Sequence, residues 1–358
     1  MKSTLTRREM LATLAGATPL LAAAPSLFAA NSTGQKRLGV GTYSYNIHWK
    51  AARDGHPNAR FKDALEFLEY CHQFGAGGVQ AAIGSKEPDY PAKLRAKAEA
   101  WQMYFEGQVS LPNEHSDVDR FEADLRACRE AGATVVRAAM LSGRRYETFA
   151  SAEAFRQFAE KSWRSLTLAE PVLKKHRVRL ALENHKDWRV PELLDLLRRI
   201  SSEFVGVCVD TGNNLALVED PMAVVESLAP FAFSSHLKDM AVQEYEEGFL
   251  LSEVALGEGF LDLERIVALL RQANRKLQFN LEMITRDPLK IPCLTEKYWA
   301  TMPTLPAREL AAILTLVRRH PSQKPLPRTT GLNTADQLAL EDEHVRKSFA
   351  YARRELRL

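Results

Sequence analysis

Three observations predict an α/β fold for this chain, a (β/α)8 TIM barrel with a C-terminal helical extension. Strand-like and helix-like segments alternate over about 250 residues, which is typical of a parallel sheet covered by helices. They form eight strand–helix units, the number that closes such a barrel. The alternative is a doubly wound open sheet, which usually carries a Gly-rich phosphate loop after its first strand. No such loop follows the first predicted strand.

The first four units combine short apolar strands with amphipathic helices. Gly75 and Gly132 follow two of these helices, and glycine commonly ends a helix. The predicted strands span residues 38–42, 78–82, 103–107 and 134–138, and the predicted helices span 61–74, 91–101, 118–131 and 152–176.

The last four predicted strands alternate with period two, and each ends in a polar residue. Large apolar residues occupy one face and smaller or polar residues the other, as expected between covering helices and a barrel interior. Pro191 and Pro221 begin two of the intervening helices, where the missing N–H of proline is harmless. The strands span residues 178–183, 205–210, 231–236 and 277–282, and the helices span 191–201, 221–228 and 263–273.

The polar residues that end these strands are Glu183, Asp210, His236 and Glu282. Because barrel active sites lie at the carboxyl ends of the strands, we expect the four side chains to converge. Three carboxylates and an imidazole suit a hard or borderline divalent cation. Alternatively, two of the carboxylates flank a glycosidic bond as acid and nucleophile, but this leaves Asp210 and His236 without a role.

Composition indicates an ordinary globular protein. The 358 residues are 46% hydrophobic and 26% charged, and the net charge is +3 without a concentrated Lys/Arg block. We therefore expect neither nucleic acid nor an anionic membrane surface as a partner. The four cysteines form no CxxC pair, and their spacing requires no disulfide.

Residues 1–30 have the pattern of a twin-arginine export signal. Arg7 and Arg8 precede an uncharged apolar stretch that ends in small residues. The sequence thus predicts a periplasmic protein with no stable membrane association after cleavage. The alternatives are an ordinary amphipathic helix or a permanent membrane span, and Gly16, Pro19 and Pro25 disfavour the span.

The segment after the eighth strand differs from the repeated units. We place the barrel at residues 37–320 and a C-terminal linker and helix at 321–358. Residues 291–306 are expected to form an irregular loop near the site, and 310–318 a helix. The final charged amphipathic helix, 338–358, is interpreted as packing on the barrel exterior. Its alternative roles are a contact in a homo-oligomer or a lid.

Five short motifs occur in order across the second half of the predicted barrel: Leu182-Glu183-Asn184-His185, Asp210-Thr211-Gly212-Asn213, His236-Leu237-Lys238-Asp239, Gly257-Glu258-Gly259 and Leu281-Glu282. In these motifs the chain resembles the xylose-isomerase-like barrel family of sugar isomerases and epimerases. The resemblance implies that Glu183, Asp210, His236 and Glu282 bind one divalent metal ion, commonly Mn²⁺, Mg²⁺, Co²⁺ or Zn²⁺. It also implies that Glu183 and Glu282 face each other across the substrate as catalytic residues.

Four further residues are candidates for substrate binding. His185 could donate to a substrate oxygen or to a loop. Lys238 shares the inward face with His236, and its alternative is a salt bridge with Asp239 or Glu258. Glu106 lines the pocket or pairs with Arg137. Arg286 reaches a substrate carboxylate or caps its own loop.

These residues predict a metal-dependent isomerase or epimerase that forms an enediolate from a small carbohydrate. A divalent cation stabilises the charge that develops when a proton leaves the carbon beside a carbonyl, and a carboxylate can take that proton. The predicted periplasmic location and the lack of a basic phosphate clamp favour a non-phosphorylated sugar or keto-sugar.

Three other functions were compared with this one. A lyase or hydratase on a keto-sugar, keto-glycoside or cyclitol uses the same enediolate. A multinuclear metal endonuclease needs more histidine ligands than the first four strands supply. A sugar-binding protein without activity is disfavoured because all four ligands are present.

Overall fold

The computed structural model describes residues 37–85 and 87–358. The predicted twin-arginine signal lies outside these residues. Among the described residues, no helix combines the length and apolar character needed to cross a membrane.

A closed barrel of eight parallel strands forms the centre of the protein, which confirms the predicted fold. The strands follow the order β1-β10-β7-β6-β5-β4-β3-β2 around the barrel, and β1 pairs with β10 to close it. The strands β8, β9 and β11 form a separate sheet. In chain order the strands are β1 (Gly39–Gly41), β2 (Gly78–Ala81), β3 (Tyr104–Gln108), β4 (Val135–Ala138), β5 (Arg179–Glu183), β6 (Val205–Asp210), β7 (Ala232–Leu237), β8 (Asp239–Tyr245), β9 (Gly248–Val254), β10 (Phe279–Leu281) and β11 (Leu289–Ile291).

Helices cover the outside of the barrel, and polar caps fix where several of them begin. The side chain of Asp63 accepts hydrogen bonds from Leu65 and Glu66 at the start of one helix, and that of Asp262 accepts from Arg265 at another. The helices are α1 (Asn46–Arg53), α2 (Ala64–Gln73), α3 (Tyr90–Ala100), α4 (Val118–Glu130), α5 (Arg145–Thr148), α6 (Ala152–His176), α7 (Val190–Ile200), α8 (Pro221–Leu228), α9 (Leu263–Ala273), α10 (Glu296–Trp299), α11 (Ala307–Arg319) and α12 (Thr334–Tyr351).

The last helix, α12, occupies the position of the eighth barrel helix. Its Val345 and Phe349 belong to the main hydrophobic core together with strand residues of the barrel. The buried carboxylate of Glu341 accepts hydrogen bonds from the backbone N–H groups of Ile47 and His48, in the first turn of α1. The segment that the sequence assigned to a C-terminal extension is therefore packed as part of the barrel.

The segment between β10 and α12 and the hairpin after β7 form a small added lobe. The hairpin of β8 and β9 pairs with β11, and this sheet packs with α11 on a second apolar cluster. The sequence analysis did not predict these three strands. One of the five motifs, Gly257-Glu258-Gly259, forms a turn after β9, in which Gly257 and Gly259 donate backbone hydrogen bonds to Asp239. A Cβ on Gly259 would lie 2.2 Å from Asp239 Oδ1, so this turn requires glycine.

Candidate metal centre

The four predicted ligands meet at the carboxyl ends of adjacent barrel strands. Glu183, Asp210 and His236 lie at or near the ends of β5, β6 and β7, and Glu282 directly follows β10. One ligand atom from each lies within 4.8 Å of the others, and all four side chains are buried. The convergence expected from the strand pattern is thus observed.

The imidazole of His236 presents Nδ1 to the three carboxylates. Nδ1 lies 3.2 Å from Glu282 Oε1, 3.5 Å from Glu183 Oε2 and 3.9 Å from Asp210 Oδ2. This atom has no hydrogen-bond partner of normal geometry among the described residues. Burial alone would lower the pKa of His236, but Cys208, Glu282 and Glu183 raise it well above its usual value.

A chain of hydrogen bonds inside the barrel sets the orientation of this ring. Nε2 of His236 lies 2.7 Å from Oε1 of Gln80, and Nε2 of Gln80 donates to Glu106 Oε2 at 3.0 Å. Because Glu106 also accepts from Ser234 and Asn280, it acts as an acceptor, and the amide of Gln80 must turn its oxygen toward His236. Nε2 of His236 therefore donates a hydrogen bond to Gln80, and Nδ1 is the ring nitrogen that faces the carboxylates.

Asp210 is oriented by the turn that follows its strand. Its Oδ1 accepts backbone hydrogen bonds from Gly212 at 3.0 Å and Asn213 at 2.8 Å. Oδ2 lies 2.8 Å from Nζ of Lys238 in an ion pair but has no hydrogen bond of normal geometry. Asp210 thus directs one oxygen into the cluster.

Both oxygens of Glu183 have partners within the protein. Arg137 donates through Nε at 2.7 Å, and through a second guanidinium nitrogen, to Oε2, while Asn213 donates to Oε1 at 3.0 Å. Burial alone would raise the pKa of Glu183, but Arg137 lowers it well below the usual range. The alternative ion pair between Arg137 and Glu106 is not formed, since Arg137 instead binds a predicted metal ligand.

Lys238 lies among the carboxylates rather than on the outer loop. Its Nζ is 2.8 Å from both Asp210 Oδ2 and Glu282 Oε2. Burial alone would lower the pKa of Lys238, but these two carboxylates and Glu253 raise it above the usual range. The predicted alternative partners of Lys238 interact elsewhere, since Asp239 accepts backbone hydrogen bonds and Glu258 pairs with Lys324.

The donor set fits a divalent metal ion. His236 Nδ1 has no partner and faces three carboxylate oxygens, a concentration of negative charge that a cation would neutralise. The oxygen and nitrogen donors suit Mn²⁺, Mg²⁺, Co²⁺ or Zn²⁺ and do not select among them. The backbone contacts of Asp210 and the Gln80–Glu106 chain orient the ligands in the manner of a second coordination shell.

Two of the predicted ligands, Glu183 and Glu282, line a cavity of about 670 Å³. Glu183, Glu282, His185 and Arg286 all line it. Burial and the charge of Lys186 lower the pKa of His185 to about 3, so its ring is neutral. Glu106 is absent from this lining and lies in the barrel interior below the ligands. A larger groove of about 790 Å³, between α12 and residues 57–60, lies away from the four ligands.

Arg286 meets a carboxylate that the sequence analysis overlooked. Its guanidinium donates two hydrogen bonds to Glu253 of β9, at 3.2 and 2.7 Å. Lys238 Nζ lies 3.7 Å from the same carboxylate. Burial alone would raise the pKa of Glu253, but Arg286, Lys238 and Lys186 lower it to about 2. The added hairpin thus delivers a permanent negative charge to the edge of the site.

Five residues that surround the predicted ligands received no role there from sequence reasoning, although Arg137 was named as a possible partner of Glu106 and Asn213 as part of a motif: Gln80, Arg137, Lys186, Asn213 and Glu253. The period-two alternation of strand side chains could have identified Gln80 and Arg137, since they occupy inward positions of β2 and β4. Glu253 was not accessible, because it depends on an unpredicted hairpin.

The fold and the site define a (β/α)8 barrel protein with a buried group of three carboxylates and one imidazole at its strand ends. A family model described as xylose isomerase-like TIM barrel matches residues 108–311, more than half of the chain. The chain therefore belongs to the xylose isomerase-like TIM barrel family, as the motif resemblance indicated.

A curated relative and two solved structures are similar to this chain. The relative, 3-oxo-isoapionate decarboxylase of Pectobacterium atrosepticum, is 27% identical over 247 residues, which cover 67% of this chain and 83% of the relative. D-psicose 3-epimerase in the presence of D-fructose has a TM-score of 0.56 at 13% identity, covering 88% of this chain and 98% of that one. A xylose isomerase-like TIM barrel protein from Mycobacterium smegmatis, in complex with magnesium, has a TM-score of 0.51 at 12% identity, covering 78% and 98%. At these identities the structures show a shared fold.

Proposed function

We propose that the protein is a divalent-metal-dependent isomerase or epimerase that acts through an enediolate on a non-phosphorylated sugar or keto-sugar. The observation that carries this proposal is the meeting of Glu183, Asp210, His236 and Glu282 within 4.8 Å, with Glu183 and Glu282 lining a cavity large enough for a sugar. The family, and a similar fold in a protein named D-psicose 3-epimerase, support it. A divalent cation in this cluster supplies a Lewis acid that stabilises the charge of an enediolate.

Glu282 is the side chain best placed to move the proton. It lines the cavity, and its pKa lies well below the usual range because His236 and Lys238 outweigh the effect of burial. The carboxylate is therefore ionised and able to accept a proton from the carbon beside a carbonyl. The ammonium of Lys238, 2.8 Å from Glu282 Oε2, orients this carboxylate.

A lyase that acts on a keto-sugar is the second candidate, and the surroundings of Glu183 favour it. Arg137 and Asn213 occupy both oxygens of Glu183, which makes it a weak second base. Epimerisation by two opposed carboxylates needs two proton-transfer groups, whereas elimination or decarboxylation needs one. The curated relative is named as a decarboxylase, which agrees with one-base chemistry.

Solvent deuterium distinguishes these reactions. Metal-loaded protein is incubated in D₂O with ketoses, aldoses and keto-aldonates, and the carbons beside the carbonyl are followed by NMR. An isomerase or epimerase incorporates deuterium into both product and recovered sugar, and the Glu282→Gln variant does not. A lyase releases water or CO₂ and carries deuterium where the bond broke. If a protein that binds metal incorporates no deuterium from any of these substrates, the enediolate proposal fails.

We also propose that residues 1–30 direct the protein to the periplasm by the twin-arginine route. The paired Arg7 and Arg8 before an uncharged apolar stretch support this. Replacing both with lysine is expected to retain the full-length chain in the cytoplasm, as measured by fractionation. Export of the double variant at the wild-type level would contradict the proposal.

A further inference from the structure

A buried lysine without a carboxylate partner lies in the wall of the cavity. Lys186 follows the end of β5 and is 2% exposed, although it lines the cavity. Its ammonium donates to Oδ1 of Asn213. Within residues 37–85 and 87–358, this ammonium forms no ion pair. Burying an ammonium group raises the free energy of the folded protein unless an anion compensates its charge. The position of Lys186 beside the cavity therefore indicates a function for its charge.

The other cations of the site do have carboxylate partners. Arg137 pairs with Glu183, Lys238 pairs with Asp210 and Glu282, and Arg286 pairs with Glu253. These four carboxylates balance the four cations Arg137, Lys186, Lys238 and Arg286. A divalent ion added to the cluster therefore leaves an excess of positive charge beside Lys186, which a substrate anion would offset.

Glu253 and Asp210 compensate the charge of Lys186 only in part, and within the described residues neither forms an ion pair with it. Burial and the charge of Lys238 lower the pKa of Lys186 to about 8. Asn213, its hydrogen-bond partner, is a neutral amide whose Nδ2 donates to Glu183 Oε1 at 3.0 Å. The side chain of Asn213 thus contacts both Lys186 and Glu183, a proposed metal ligand. The ammonium of Lys186 therefore lies close to the expected reaction centre.

We propose that the substrate carries a carboxylate and that Lys186 binds it at the wall of the cavity. This inference rests on the proposed function, which places the reacting carbon beside Glu183 and Glu282. The substrate class is then a sugar acid with a carbonyl group, such as a keto-aldonate or a uronate. Such an anion neutralises a cation that the fold leaves without an anionic partner.

A carboxylate suits this position better than a phosphate. The two guanidinium N–H groups of Arg286 that could bind a phosphate are directed at Glu253, and Lys238 is held by Asp210 and Glu282. Among the buried cations that the structure describes around the cavity, Lys186 therefore offers N–H groups without a carboxylate partner to one additional anion. A phosphate dianion commonly needs several free donors, as in a phosphate-binding loop.

The test is a calorimetric titration of the metal-loaded protein with D-gluconate and with its neutral counterpart D-glucitol. An ionic hydrogen bond contributes enough for D-gluconate to bind about tenfold more tightly than D-glucitol. The Lys186→Met and Lys186→Gln variants are expected to lose this difference, and Lys186→Arg to retain part of it. Lys161→Met, which removes an exposed lysine from the cavity lining, is the matched control and keeps the difference.

Three results would overturn the inference: equal affinity for D-gluconate and D-glucitol, an unchanged preference in both the Met and Gln variants, or tighter binding of inorganic phosphate than of D-gluconate. These outcomes are separate from those of the proposed function. A protein that shows the Lys186-dependent preference but never incorporates deuterium has the carboxylate site without the enediolate reaction. A protein that incorporates deuterium but shows no preference for D-gluconate over D-glucitol supports the enediolate reaction and rejects sugar acids as the substrate class.

Discussion

The two halves of the barrel contribute to the site in different ways. The second half supplies every candidate ligand, from β5, β6, β7 and the residue after β10. The first half supplies Gln80 on β2, Glu106 on β3 and Arg137 on β4, which contact ligands or support those contacts. The comparison indicates that one half determines what is bound and the other determines how the ligands are oriented.

This division has a physical basis. A carboxylate or an imidazole has several accessible orientations, and a metal site needs one of them. Arg137 binds one oxygen of Glu183, and Gln80 fixes the tautomer of His236. Ligand variants should therefore abolish metal binding, whereas variants in the first half should weaken or loosen it.

The largest effect is expected for His236→Ala. Removing the imidazole should abolish stoichiometric metal binding. The remaining three carboxylates then form a site without the nitrogen donor whose orientation the barrel interior fixes. Loss of a Lewis acid worth several kcal/mol would lower turnover by about a thousandfold. Elemental analysis of the purified protein measures the metal, and Cys71→Ser, on the covering helix α2, serves as the control. Full metal content in the variant would remove His236 from the ligand set.

A smaller effect is expected for Arg137→Met in the first half. The variant leaves Glu183 buried without its cation, and loss of one partner of such a pair costs about 3 kcal/mol of unfolding free energy. A divalent ion can replace the missing charge, so added Mn²⁺ should restore much of the loss. Chemical denaturation with and without Mn²⁺ measures both quantities. Equal destabilisation in the two conditions would show that Arg137 does not act through the metal cluster.

The smallest effect is expected for Gln80→Leu. Without the amide oxygen, His236 loses the partner that fixes its tautomer, and metal affinity should fall by about tenfold to a hundredfold. The measurement is a competition titration with a metal-binding dye. Gln80→Met, which matches glutamine in length but also lacks the acceptor for Nε2, should lose as much affinity as Gln80→Leu. If both variants bind metal like the wild type, the first half of the barrel plays no part in orienting His236.

The barrel could be predicted from the sequence because each strand and helix is defined by a pattern of neighbouring residues. Alternating residues and capping side chains such as Asp262 define each unit without reference to distant parts of the chain. The meeting of Glu183, Asp210, His236 and Glu282 also follows from a general rule, that parallel strands end at one edge. Their roles as ligands and bases remain predictions.

Pairings between distant residues could not be predicted in the same way. Arg137 was compared only with Glu106, but the register of β4 and β5 places it opposite Ala181, beside the end of Glu183's strand. Glu253 depends on a hairpin whose strands the sequence analysis did not predict. Lys186 was overlooked because it lies past the end of β5. At that position neither the period-two alternation nor the motif resemblance indicates where the side chain points.

The position of α12 has a consequence for how the protein folds. The strand β1 pairs with β10, and the helix that covers this junction is separated from β10 by the added lobe and begins only at Thr334. The strands can close once β10 has left the ribosome, but their junction stays uncovered until α12 follows. The contacts that cover it, such as Glu341 with Ile47, join residues 294 positions apart. Such long-range contacts slow folding and lengthen the life of open intermediates. This protein is therefore expected to depend on protection from aggregation until its last helix docks.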